Sequence, residues 1–262
     1  MIGSGAKNMH TQIDLNSDLG ERETAEGQAI DADMMRLITS VNIACGGHAG
    51  TPELMRRTAH LAAQRGVAIG AHPGFSDPKH FGRRDQHVSS EDIAALVISQ
   101  LETLANVLAR ERLTLTHVKP HGALYNVAAS DSEVARAIIH AVQSVDRSLF
   151  LFALAGSELV RAGQAAGLRV AQEAFVDRAY RPDGTLVPRS EPGAVLQTEQ
   201  DIRRQVRELI AGAVTSIDGS SVRVQADTLC LHADTPHAIA LARIVRHELE
   251  SAGIRLAAVC HA

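Results

Sequence analysis

The stretch HVKPHGALYN, residues 117–126, sets three long polar side chains into a segment that otherwise reads as a buried strand. Side chains alternate across a strand, so His117, Lys119 and His121 share one face and Val118 takes the other. Pro120 cannot donate a ladder hydrogen bond, which puts it where pairing ends. Gly122 then turns the chain toward a helix. A polar face on an internal strand is costly unless its groups satisfy one another, bind an ion or line a pocket. Val118 is therefore expected to pack outward. Lys119 and His121 are expected to point inward, with His117 deepest and structural.

The flanking sequence repeats this design. Short apolar runs at 12–17, 40–45, 67–72, 115–120, 149–154, 169–175, 228–233 and 254–260 read as strands. Longer amphipathic runs separate them, such as TPELMRRTAHLAAQRG with Thr51 as cap, Pro52 in the first turn and Gly66 at the end. Repeated βα units imply a parallel sheet covered by helices, and eight strand candidates favour an α/β fold of the closed (β/α) barrel type, TIM-like with irregularities. An open doubly wound sheet is the second choice, and no G-x-G-x-x-G follows the first strand to support it. Residues 177–195 break the pattern. Their Pro182-Asp183-Gly184 turn signal suggests a hairpin or lid-like excursion. Residues 12–262 are read as a single barrel domain, and residues 1–11 as a flexible extension or tag remnant.

The 262 residues suffice for a large core, with 45% hydrophobic and 21% charged residues. A formal charge of -4 argues against nucleic-acid binding by charge alone. No apolar run approaches the length of a membrane span. Three scattered cysteines and no signal peptide point to the cytoplasm. Thirteen histidines are many, and their placement is informative.

Strands buried on both faces should be almost wholly apolar. Here Asp14, Asn16 and Asp18 alternate along the first strand, and Glu173 and Asp177 share parity around the sixth. His232 and Asp234 end the seventh, while His48 and His72 follow or end the second and third. Any one of these could be a cap or a solvated loop residue. All lie at C-terminal strand ends, where barrels place their active sites. Glycines at 46, 47, 70, 74 and 122 flank them, suited both to tight turns and to close ligand approach.

The segments DLNSDLGE (14–21), NIACGGHAG (42–50), GAHPGFSD (70–77), VKPHGALYN (118–126), EAFVDRAY (173–180) and LCLHADTP (229–236) together resemble the LamB/YcsF family, the A subunits of 5-oxoprolinase. The resemblance implies an irregular barrel similar to the glycoside hydrolase and deacetylase barrels. It implies ATP-dependent opening of 5-oxo-L-proline to L-glutamate together with subunits B and C. A lactam carbonyl is a poor electrophile, so phosphorylating its oxygen explains the need for ATP. The site then needs a base, oxyanion donors and a grip on the substrate carboxylate. Asp14 or Asp18 would serve as base, His72 and His121 as proton carriers, and Lys119 as a charge for carboxylate or phosphate. Asn16, Asn42, Glu173, Asp177, Arg178 and His232 would bind substrate, with Arg178 as the carboxylate clamp. Asp14, His48 and His72 would be the ligands of a divalent metal, similar to the Asp-His-His set of deacetylase barrels.

No G-x-x-x-x-G-K-[ST] loop is present, so ATP binds either at an unrecognised site here or on the partner subunits. Cys45 ends an apolar strand and reads as a small core residue. Two other functions stay open: a stand-alone metal-dependent hydrolase or deacetylase, and a non-catalytic barrel that binds a carboxylate. Homo-oligomerisation also stays open.

Overall fold

The structure is a computed structural model and describes residues 11–261. All but one of the positions read as an N-terminal extension lie outside the described residues. The strands are β1 (Gln12–Leu19), β2 (Ser40–Ala44), β3 (Ala68–His72), β4 (His117–Val118), β5 (Phe150–Leu154), β6 (Arg169–Phe175), β7 (Ala213–Thr215), β8 (Ser221–Arg223), β9 (Thr228–Cys230) and β10 (Arg255–Leu256). The helices are α1 (Ala25–Met34), α2 (Pro52–Arg65), α3 (Ser90–Arg110), α4 (Gly122–Ala128), α5 (Ser132–Val145), α6 (Glu158–Ala165), α7 (Glu199–Ile210) and α8 (Ala238–Ser251).

Seven parallel strands close the barrel in the order β1-β2-β3-β4-β5-β6-β9, and β9 pairs back to β1 through Asp14↔Thr228, Leu15↔Leu229 and Asn16↔Cys230. The sequence suggested eight. The eighth stretch supplies only β10, which pairs with Gln12 and Ile13 at the start of β1. β9 already occupies the rest of that β1 edge, so the last strand cannot enter the ring.

Alternation sorts the strand residues. Leu15, Ile43, Ala71, Val118, Leu151 and Leu229 belong to the apolar layer beneath the helices. The opposite parity carries the polar groups. β4 is only two residues long because Pro120 removes the next donor, although Lys119 N–H still reaches Ala71 O at 2.9 Å and His121 N–H reaches Pro73 O at 2.8 Å.

The helices end as their sequences dictate. Thr51 caps α2 through the Leu54 N–H, Pro52 occupies its first turn, and Gly66 closes it at φ 67°. α3 amends one expectation: with 21 residues and a mean hydropathy of 1.4 it is long and apolar enough to cross a membrane. Its stripe of Ile93, Val97, Leu101, Leu104 and Leu108 is instead buried, and it packs between α2 and α5.

Two excursions interrupt the βα pattern. After β6 the chain doubles back through antiparallel bridges at Arg178↔Val195 and Tyr180↔Leu186, turning at Gly184 with φ 85°. Then β7 and β8 form a small hairpin. The sequence analysis did not identify this hairpin, although Asp218-Gly219 is an ordinary turn signal.

Close packing of the barrel interior is tightest at Gly70 of β3. A Cβ there would lie 2.1 Å from Nε2 of His117, whose ring stacks on Phe152 at 4.2 Å and bonds Asn42 Oδ1 at 2.9 Å. The imidazole has no room to retreat. Gly70→Ala is expected to lower unfolding free energy by about 1–3 kcal/mol, the usual cost of overpacking, measured by urea titration. An unchanged midpoint would show that the His117 ring is not held.

Candidate active site

A column of polar groups runs through the barrel interior, with Phe152 and Phe175 beside it. At the N-terminal end of the strands, Asp14 accepts hydrogen bonds from Thr39 (2.6 Å), Ser40 (2.7 Å) and Thr228 (2.5 Å) hydroxyls. Burial outweighs these three donors and pushes its carboxyl up to about 6. One layer higher, Asn16 donates to Glu173 Oε1 at 2.9 Å, and Asn42 donates to Asn16 Oδ1 and to Asp18 Oδ1, both at 2.8 Å.

Lys119 reaches the axis from β4. Its Nζ lies 3.0 Å from Asp18 Oδ1, 2.9 Å from Glu173 Oε1, 3.2 Å from Asn16 Oδ1 and 3.1 Å from Cys230 Sγ. Tyr125 OH donates to the other Glu173 oxygen at 2.7 Å. Burial opposes charge on Lys119, but the facing acids win and hold the ammonium well above the ordinary lysine range. Burial likewise opposes ionisation of Asp18, and His72 and Lys119 outweigh it, so that carboxyl lies well below the usual range.

Three histidines flank this charge group. His72 Nδ1 faces Lys119 O at 2.7 Å and His121 Nε2 faces Phe81 O at 2.8 Å. Carbonyls only accept, so both of those nitrogens carry hydrogen. The remaining nitrogens, His72 Nε2 and His121 Nδ1, face each other at 2.9 Å. One proton must lie between them. Asp18 Oδ2, 3.3 Å from His72 Nε2, places it on His72. Burial and the neighbouring His48 and His72 hold the His121 imidazole well below its ordinary value, consistent with that assignment. His48 stacks on His121 at 3.5 Å and meets Glu21 Oε1 at 3.0 Å.

On the opposite wall, Asp177 grips His232. Its two oxygens both lie 3.0 Å from His232 Nδ1, and it also accepts from the His232 N–H and from Thr235 OH. The imidazole therefore keeps its hydrogen on Nδ1 and aims Nε2 inward, 3.9 Å from Asp18 Oδ2. Burial alone would raise the Asp177 carboxyl, but His232 and the donors around it bring it down to about 2.

Above these groups opens a cavity of about 480 Å³, lined by Asp18, Glu21, His72, Lys119, His121 and His232 at its base. Its rim carries Arg83, Arg178, Arg189 and Asp234. Arg83 and Arg189 share Asp234, at 2.5 Å and 3.7 Å, and Nη2 of Arg189 is buried without a hydrogen bond.

Several expected assignments change. Asp14 does not reach the cavity: it lies four residues below Asp18 on β1, roughly 13 Å at ~3.3 Å per residue, with its oxygens taken by hydroxyls. The Asp14–His48–His72 metal set is accordingly not formed, and His48 turns its Nε2 to Glu21. Lys119 cannot hold a substrate carboxylate by itself, since its three protons already serve four acceptors. Arg178 is not a free clamp. Its guanidinium bonds Ala194 O and Val187 O and so fastens the 177–195 excursion, while burial and the neighbouring Arg189 pull it down to about 10. Asn16 and Asn42 lie below the cavity as connectors. Asp18, His72, Lys119, His121, Glu173, Asp177 and His232 do come together.

Glu21, Arg83, Arg189 and Tyr125 were not singled out from sequence. Glu21 and Tyr125 stand inside the quoted motifs DLGE and GALYN, and Arg83 follows Phe81-Gly82 in the loop after β3. Cys45 is a core residue, its thiol pushed by burial up to about 12. Two other triads bring ligand atoms within 4.8 Å of one another: Glu21–His72–His121 and Asp18–Cys230–His232.

Fold and site together define a TIM-like α/β barrel with a charged acid–base pocket at the C-terminal ends of its strands. The chain belongs to the LamB/YcsF family, which matches residues 13–262. It is 49% identical over 249 residues to the 5-oxoprolinase A subunit of Bacillus subtilis (strain 168), covering 95% of this chain and 97% of that one. The 5-oxoprolinase A subunit of Pyrococcus furiosus is 42% identical, covering 94% and 96% of the two chains. Among solved structures, the lactam utilization protein from Thermus thermophilus superposes with a TM-score of 0.86 at 44% identity, covering 94% of this chain and 99% of that one.

The Asp177 carboxyl, at about 2 in the fold against an ordinary 3.8, contributes stability that is full above about pH 4 and is lost as pH falls toward 2. At ~1.4 kcal/mol per unit the contribution is on the order of 2 kcal/mol. The stability gap between the native chain and Asp177→Asn should therefore narrow as pH drops below about 4, followed by urea unfolding. A gap independent of pH would mean that the His232 contact does not depress this carboxyl.

Proposed function

We propose that this chain is the A component of an ATP-dependent 5-oxoprolinase, opening 5-oxo-L-proline to L-glutamate with two partner subunits, B and C. The observation that carries the reading is the Asp177–His232 pair facing the Lys119-bridged carboxylates, in a chain 49% identical to the A component of a 5-oxoprolinase. The cavity has the size typical of small-ligand sites.

The chemistry assigns roles as follows. Partner subunits transfer phosphate from ATP to the lactam oxygen, since this chain has no phosphate-binding loop of the usual sequence. Water then adds to the activated carbon as its proton passes to His232 Nε2. Asp177 keeps the imidazole in the tautomer that can accept it and stabilises the cation formed. The ring C–N bond breaks as the nitrogen takes that proton from the His232 imidazolium. The remaining acyl phosphate is hydrolysed to glutamate and phosphate. Arg83 and Arg189 at the rim hold the substrate carboxylate, their charges only half offset by Asp234. Lys119 keeps Asp18 and Glu173 ionised and fixed. Metabolism that consumes ATP suits a cytoplasmic enzyme.

The test is glutamate and ADP formation from 5-oxo-L-proline, with and without the partners. Turnover should require all three chains. His232→Asn should lower kcat by ~100- to 10,000-fold, the range for loss of a general base. Lys119→Ala should abolish turnover. Absence of glutamate from the complete native complex, or full activity in His232→Asn, would reject the reading.

A further inference from the structure

We infer that Glu21, His72 and His121 form a binding site for a divalent transition cation of the zinc class, open toward the cavity. The inference stands on side-chain geometry and does not depend on the identity of the substrate.

Three features point to it. The inner nitrogens of His72 and His121 converge to 2.9 Å, while each outer nitrogen is anchored to a backbone carbonyl, Lys119 O and Phe81 O. Outer N–H groups fixed in this way are how proteins orient metal-ligating imidazoles. Two lone pairs aimed at one point otherwise repel and need a proton between them. A cation can take that proton's place. The third donor is Glu21, whose Oε1 lies 3.9 Å from His121 Nδ1. All three ligand atoms fall within 4.8 Å of one another, and all three residues line the cavity. Two imidazoles and a carboxylate with an open side form a catalytic-type donor set, which prefers Zn²⁺ and its neighbours over Mg²⁺ or Ca²⁺. Such an ion would act as a Lewis acid toward a carbonyl oxygen.

The competing triad, Asp18, Cys230 and His232, is disfavoured by charge. Lys119 Nζ already lies 3.0 Å from Asp18 Oδ1 and 3.1 Å from Cys230 Sγ. An ammonium fills the place that a metal would need. The Glu21 triad has no lysine or arginine in contact with its ligand atoms among the described residues.

The experiment uses the full chain, stripped with a chelator and titrated with ZnCl₂ by calorimetry in buffers of different ionisation enthalpy. One ion per chain is expected, with release of about one proton, because ligands must be deprotonated. His121→Asn should weaken binding by ~100-fold or more, since even outer-sphere changes cost 10- to 100-fold. Glu21→Gln should also weaken it, and Cys230→Ser should leave it unchanged. X-ray absorption of the zinc-loaded native chain should show nitrogen and oxygen neighbours with imidazole scattering and no sulfur, a readout that needs no variant to fold. Sulfur in the first shell, binding unaltered in His121→Asn, or no zinc uptake by the native chain would each overturn the assignment. None of these outcomes bears on glutamate formation, so the functional reading is tested separately.

Discussion

The buried ammonium of Lys119 is the interaction on which the rest of the barrel interior depends. It stands between Asp18 and Glu173 with almost no access to solvent. Moving charges out of water costs several kcal/mol per ion, and the attraction between them offsets this only when every remaining donor and acceptor is used. The structure meets that condition by recruiting neighbours. Asn16 and Asn42 donate to the same carboxylate oxygens that Lys119 binds, Tyr125 takes the other oxygen of Glu173, and Asn42 in turn engages His117. Removing the lysine from such a set leaves two carboxylates unbalanced, a loss of ~3–5 kcal/mol for buried pairs. The asparagines that looked like substrate ligands are consequences of the lysine.

This polar column is compatible with a stable barrel because the strands divide labour by parity. One face of each strand builds the apolar layer under the helices, and that layer supplies the hydrophobic stabilisation. The other face is then free to be polar, provided it is satisfied internally. Most barrels of this type fill their centre with branched apolar side chains. Here the centre is a hydrogen-bonded stack from Asp14 to Asp18, and only its upper end opens into the cavity. The geometry of the upper groups is thus set from below, by side chains that never meet a ligand.

Alternation made much of this legible in the sequence. It put Lys119 with His117 and His121, Asp14 with Asn16 and Asp18, and Val118 on the opposite side. It reports which face a residue takes and says little about height along the barrel axis. Asp14 and Asp18 share a face, yet only Asp18 reaches the cavity, because the stagger of the strands decides where the interior ends. Residues from loops were harder still. Glu21, Arg83 and Arg189 are brought to the cavity by chain paths with no periodicity to read. Arg178 had the right position and charge, but two backbone carbonyls of its own hairpin claim it. The ring of seven also escaped a count of apolar runs, since a short run can pair with a strand's start without joining the closure.

Three aspartates in one barrel show how surroundings divide the work. Asp14 has three hydroxyl donors and, among the described residues, no lysine or arginine paired with it, so burial prevails and its carboxyl rises to about 6. A group that takes up a proton so near neutrality is a poor fixed charge, and it sits where no fixed charge is needed. Asp18 is equally enclosed, but Lys119 and His72 keep it ionised through the whole range in which histidines titrate. Asp177 touches no lysine or arginine directly among the described residues. It is held down, to about 2, chiefly by the histidine it orients, then by the Thr235 hydroxyl and the more distant charge of Arg189. The proton that His232 would gain in a reaction is therefore stabilised by the same carboxylate that selects its tautomer. Asp18, 3.9 Å from the other ring nitrogen, adds a second negative charge on the reacting side. That pairing fixes the tautomer and leaves Nε2 facing the cavity, and a general base needs both.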